Sequence, residues 1–202
     1  GTLSAEPSSH DIDQIAVVKG GANAIDFNRA AGFLMNSISR SGTNEYHASL
    51  TYQAQPESLT ADRDNAGTVF EEDKEWWIGN VGGPILRDRL YFYASYYAPN
   101  STRENRSNLY GEVPDFESDR DELFGKLTFA PTDSLLFHAS YRASERTDTG
   151  TSVSTAAAAG STSQGSEATL DIGIFEASWV IDERICASFR FTFFEYQTRA
   201  RP

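Results

Sequence analysis

The chain has 202 residues and carries 17 Lys and Arg against 29 Asp and Glu, a formal net charge of −12 at pH 7. That balance argues against a nucleic-acid partner, which needs clustered positive charge, and a hydrophobic fraction of 39% is too high for a disordered acidic chain. Mean hydropathy is −0.46 and no apolar run approaches the roughly 18 residues of a membrane-spanning helix; a membrane β-barrel stays open, because its alternating strands average out as polar.

In chain order, the first forty-four residues read as a small mixed unit. Asp11 to Val18 is strand-like and ends at Lys19-Gly20-Gly21; Ala22 to Asn28 and Arg29-Ala-Ala-Gly32 lead to a second strand-like run, Phe33 to Ser39. A meander of strands follows. Tyr46 to Tyr52 alternates, with Tyr46, Ala48, Leu50 and Tyr52 on one face. Glu75–Val81, Arg89–Tyr97, Leu123–Phe129, Leu135–Arg142, Leu170–Ile181 and Ile185–Tyr196 complete about seven. The last puts Ala187, Phe189, Phe191 and Phe193 on one face and Ser188, Arg190 and Thr192 on the other.

The connections predicted between these strands are of two kinds. Segments 83–88, 131–133 and 182–183 are rich in Pro, Gly and Asp and read as tight turns, with Gly82, Gly83 and Pro84 at the first. Segments 53–74, 98–121 and 143–169 are long, far above the roughly 4–6 residues usual between elements. Short and long connections alternate strictly, as in a bacterial outer-membrane barrel. A soluble sandwich with large binding loops would imitate the pattern.

No residue set implies catalysis or a cofactor. Cys186 is the single cysteine, so it forms no internal disulfide and, with three scattered histidines, no zinc site. His10, His47 and His138 adjoin no nucleophile motif; His47 and His138 fall on polar strand faces. Asp115, Glu117, Asp119 and Asp121 stand at every second position and form a weak candidate calcium loop. The segment lacks the Gly and terminal Glu of an EF-hand loop and contains Arg120, so the expected state is a solvated acidic loop with no metal. Glu71-Glu-Asp73 is expected to be solvated as well. Trp76, Trp77 and Trp179 lie in strands and read as packing or interfacial anchors.

Residues Val17 to Gly32, with Lys19, Gly20, Gly21, Arg29 and Gly32, followed by Asn36 to Ser49, resemble the end of the plug and the first barrel strand of TonB-dependent outer-membrane receptors, most closely their Oar-like branch. In that branch a Gly-Gly turn, an Arg-Ala-Ala/Thr-Gly segment and a Ser-Gly-Thr-Asn-Glu-Tyr/Phe-His stretch occur in this order, and Ser41, Gly42, Thr43 and Asn44 occupy the plug–barrel junction. Gly79 to Tyr93 looks like the branch's second hairpin. The similarity covers residues 11–97; Phe33-Leu-Met35 departs from the small residues usual there.

The resemblance implies an all-β fold, part of a transmembrane antiparallel barrel over residues 45–202, preceded by the C-terminal part of an α+β plug over 1–44. It implies a substrate-gated transporter in the outer membrane of a Gram-negative-type bacterium, not an enzyme. Its partners would be TonB, through a box outside this chain, the lipid bilayer and an extracellular ligand. The chain is expected to be a piece of a longer protein. Strand 45–53 would run outward, placing the long loops outside and the tight turns in the periplasm, with Leu50, Phe137 and Phe191 facing lipid. The alternative is a soluble extracellular β-sandwich that binds glycan or protein through its long loops; a glycosidase with paired carboxylates is a more distant reading.

Overall fold

A computed structural model describes residues 9–19, 33–59, 72–104, 109–151 and 165–201. It divides into two compact units, Gly1–Ser41 and Gly42–Pro202. In the first, β1 (Ile12–Lys19) and β2 (Phe33–Ser39) pair antiparallel. The Arg40 amide donates to the Asp11 carbonyl at 2.7 Å and closes the open end of this hairpin. Lys19 is the last residue of β1, whereas Gly20, Gly21, Arg29 and Gly32 lie outside the described residues. The helical part expected of this unit has no counterpart among its described residues, which form the hairpin and a 3-10 turn, Ser9–Asp11.

The second unit is all-β: β3 (His47–Gln55), β4 (Glu72–Leu86), β5 (Leu90–Arg103), β6 (Phe116–Thr132), β7 (Leu135–Thr149), β8 (Gly165–Val180) and β9 (Cys186–Arg201). Together they make one seven-stranded antiparallel sheet whose spatial order is the chain order. Every strand predicted from alternation is present, and most are longer than predicted. The ladder continues well past the apolar residues, because polar pairs hold it there. Asn100 Nδ2 donates to the Asp119 carboxylate, and Ser118 Oγ donates to Asp148 Oδ1 at 2.6 Å. Glu117, Asp119 and Asp121 therefore belong to β6 and not to a loop, with Asp115 just before the strand.

The tight turns also shift. Gly82, Gly83 and Pro84 lie inside β4, and the chain reverses at Arg87-Asp88-Arg89. There the Arg89 amide donates to the Leu86 carbonyl at 3.2 Å, and Asp88 takes a left-handed φ of 65°. Aspartate is one of the few residues besides Gly that tolerates this region. The next reversal is Asp133-Ser134, between paired Thr132 and Leu135. The third is stapled by Asp182 Oδ1, which accepts from the Arg184 and Ile185 amides at 2.7 and 2.9 Å.

Register assigns the faces. Along β4, β5 and β7 one face carries Trp77, Gly79, Val81, Gly83 and Ile85, then Leu90, Phe92, Ala94, Tyr96 and Ala98, then Leu135, Phe137, Ala139, Tyr141 and Ala143. Each set spans nine residues, 77–85, 90–98 and 135–143, matching the roughly 9–11 residues a tilted strand needs to cross a bilayer core. Leu50 and Phe191 share this face and are 75% and 59% exposed. Phe129, Phe137, Phe175 and Phe189 form a continuous aromatic row across β6 to β9, with ring centroids 6.1 to 6.3 Å apart. The opposite face carries His47, Ser49 and Thr51, His138, Ser140 and Arg142, and Ser188, Arg190 and Thr192. We refer to the apolar face as outer and to the polar face as inner.

The β8–β9 register predicts that Ala177 and Phe189, directly opposed, crosslink when both are changed to Cys in a Cys186→Ser background. The pair Ala177→Cys and Ser188→Cys, on opposite faces, should stay reduced. Electrophoretic mobility after mild oxidation of the full-length protein distinguishes the two registers, since a one-residue slip reverses the result.

Candidate functional site: a clasped first strand and a charged inner wall

Residues 42–46 are fastened to the β4–β5 hairpin. Gly42 lies so close to it that an added Cβ would overlap the Phe92 carbonyl oxygen and sit 2.9 Å from that of Gly83. Asn44 clasps the turn reciprocally: its Nδ2 donates to Asp88 Oδ1 at 2.7 Å, and its Oδ1 accepts from the Asp88 amide at 2.9 Å. This is the group that stabilises the left-handed Asp88. Thr43 Oγ1 donates to the Glu45 carbonyl at 3.1 Å and shapes the approach. The Tyr46 hydroxyl donates to the Pro84 carbonyl at 2.8 Å. Its ring covers Gly83, where any side chain would collide with it. The junction residues Gly42, Thr43 and Asn44 and the motif Gly82-Gly83-Pro84, separate in the sequence, thus form one structure. Its other half, Asp88, was read only as the end of the tight turn 83–88, with no tie to Asn44.

The inner wall holds a second feature that alternation alone did not show. Glu122, on β6, is 1% exposed. Arg142, across on β7, and Arg120, two residues away, both donate to its carboxylate. Arg120 Nε also reaches Ser144 Oγ at 3.0 Å, and the Arg142 guanidinium lies 4.7 Å from the centroid of the Phe124 ring. A carboxylate this buried needs such partners, because desolvating an unpaired charge costs several kcal/mol. The other inner carboxylates are paired too: Glu72 with Lys74, Asp148 with Arg146, and Glu176 with Arg190. Among the histidines, His138 Nδ1 lies 3.2 Å from Thr128 Oγ1 on the inner wall.

Three of the four candidate calcium residues are spread along the outer face of β6, with Asp115 just before it. Successive outer positions on a strand are about 7 Å apart, too far for Glu117, Asp119 and Asp121 to share one cation. Asp119 and Asp121 accept from Asn100 and Tyr96 instead. Among the described residues no three His, Cys, Asp or Glu side chains converge on a metal position. Glu72 and Asp73 lie on opposite faces of β4, with Asp73 Oδ1 accepting from the Glu57 amide at 2.8 Å, while Glu71 lies outside the described residues. Trp77 faces outward and its ring meets Tyr52, centroids 4.6 Å apart; Trp179 faces outward at the turn end of β8.

Comparison with known proteins places a relative beside this geometry. The TonB-dependent transporter Oar of Myxococcus xanthus is 32% identical over 109 residues, covering 50% of this chain. The match spans 10% of that transporter, so the chain corresponds to a small part of the relative's length. No family model matches the chain, and no solved structure does.

Two predictions follow from these contacts. Asn44→Ala removes both ties to Asp88 and should cost about 1–2 kcal/mol in urea unfolding of the full-length protein. Gly42→Ala, which must displace backbone, should cost more than Asn44→Ala; equal or smaller loss would show that the strap is not packed as described. Glu122→Ala strands two arginines and should cost about 3–5 kcal/mol, whereas Glu122→Leu combined with Arg142→Met should cost markedly less.

Proposed function

We propose that this chain is part of a TonB-dependent outer-membrane receptor of the Oar-like branch, which moves a ligand across the outer membrane with energy delivered through TonB. Residues 1–44 are the end of its plug, and 45–202 are the first strands of its barrel. It acts as a transporter and not as an enzyme. The observation that carries this reading is the two-faced sheet: an exposed apolar band about nine residues tall, backed by a polar, ion-paired inner wall. The partial similarity to a TonB-dependent transporter points the same way. So does the placing of short reversals at one end and long connections at the other.

In this reading the apolar band meets lipid. Tyr96 and Tyr141, whose hydroxyls donate to Asp121 and Asp171, mark where lipid gives way to water, as amphipathic aromatics do at bilayer interfaces. The long connections face the exterior, and the Asp88, Asp133 and Asp182 turns face the periplasm. The clasp holds the barrel's first strand beside the plug junction.

The test is fractionation of the full-length protein, expected in the outer membrane and soluble only in detergent. Leu50→Arg, Phe137→Arg and Phe191→Arg should impair assembly, since arginine near the bilayer midplane on this face costs about 2–4 kcal/mol. Thr51→Arg and Thr192→Arg, on the inner face, should assemble. Folding in water without detergent would favour the soluble sandwich instead.

A further inference from the structure

The apolar outer face is not even. Across β5 to β8, Leu90, Leu127, Phe129, Phe137, Ala139 and Phe175 line a groove of about 460 Å3. All six belong to the outer face, and no polar side chain joins them. The rings of Phe129, Phe137 and Phe175 follow one another with centroids 6.1 and 6.2 Å apart, and the short Ala139 leaves a gap among these taller neighbours. The groove begins at the turn end of the band, where Leu90 is the first residue of β5 and Phe137 the third of β7.

Gly125 continues the recess toward the middle of the band. It stands on the same face of β6 two residues before Leu127, opposite Ala94 on one side and Tyr141 on the other. A Cβ added to it would meet nothing within 4 Å. Its backbone is not left-handed, and the ladders on both sides run through it without a bulge. Packing, turn geometry and register within the described sheet therefore do not call for a glycine here, although glycine weakens a strand interior. Close approach of something from outside does call for one.

We propose that the groove and the Gly125 notch together seat one acyl chain of a glycerophospholipid from the periplasmic leaflet, lying along the strands. The inference rests on the membrane reading and names a particular lipid position within the band. A lining without polar groups suits hydrocarbon, which brings no donor or acceptor to satisfy. Six residues are far fewer than the roughly 20–30 a side of a standard protein interface, so the recess is small for a second copy of the chain. Charge agrees with a phospholipid. Arg87 and Arg89 are exposed at the adjoining reversal, and Arg89 directly precedes Leu90. Two cations thus stand at the end of the groove where the phosphate of a lipid so placed would lie.

The experiment strips the full-length protein of co-purified lipid in detergent, titrates it with palmitoyl-oleoyl phosphatidylethanolamine and counts adducts by native mass spectrometry. One saturable adduct is expected. Gly125→Phe/Ala139→Phe fills the recess with side chains that a bilayer tolerates and should weaken binding about tenfold, the equivalent of about two methylene groups refused burial. Ala48→Phe, on the outer face of β3 away from the groove, should bind as the parent protein does. The proposal is overturned by the absence of a saturable adduct, by unchanged binding in the filled variant, or by equal weakening in Ala48→Phe. Preferential uptake of lipid A, or a dimer that the filled variant alone abolishes, overturns it too. If the filled variant fails to assemble, as judged by heat-modifiable electrophoretic mobility, Arg87→Gln/Arg89→Gln decides: weaker binding supports the proposal and unchanged affinity overturns it. Fractionation of the same protein reports independently on the membrane reading, so the two can fail separately.

Discussion

A strand sends successive side chains to opposite sides, and in this protein nearly everything depends on that alternation being kept in register across seven strands. A slip of one residue would turn Phe137 and Phe191 inward and Arg142 and Arg190 outward. Register has to be set by the reversals and by cross-strand pairs. Three aspartates serve the reversals, each differently: Asp88 through a left-handed backbone, Asp133 as one of only two turn residues, and Asp182 as a side-chain acceptor for two amides.

The clasp secures one margin of the sheet and the buried charge network its middle. β3 is an edge strand whose residues are all exposed, so it has little burial to hold it. Its security comes from what precedes it: the close approach of Gly42, the Asn44–Asp88 pair and the Tyr46 phenol, all directed at the hairpin next door. Further along, β6 and β7 carry the ion pairs of Glu122. There the benefit is specificity more than net stability, since a buried pair is costly to break yet contributes little over an apolar replacement.

Strand positions were legible in the sequence wherever alternation was apolar, and strand lengths were not. Glu117 to Asp121 and Ala143 to Thr149 read as loop because a strand with polar side chains on both faces has no hydrophobic period to detect. Backbone pairing with cross-strand polar contacts extends it all the same. Gly82-Gly83-Pro84 reads as a turn because those residues usually make one. Here the two glycines are required by close neighbours, Gly42 and the Tyr46 ring, and the chain runs three residues further before it reverses. The junction motif and the turn ending at Asp88 were each visible as patterns, but their clasp was not, since a contact between residues 44 apart leaves no local trace. The same holds for Glu122 and Arg142, whose inward direction was predictable for the arginine and whose meeting was not.

Because spatial order follows chain order strand by strand, each strand finds its partner in the segment just made. No pairing in the described sheet waits for a distant part of the chain, and loop-closure entropy stays low for a β protein. The sheet can therefore grow from one end by addition of successive hairpins. At every stage it exposes a single advancing edge, with β3 already tied down behind it.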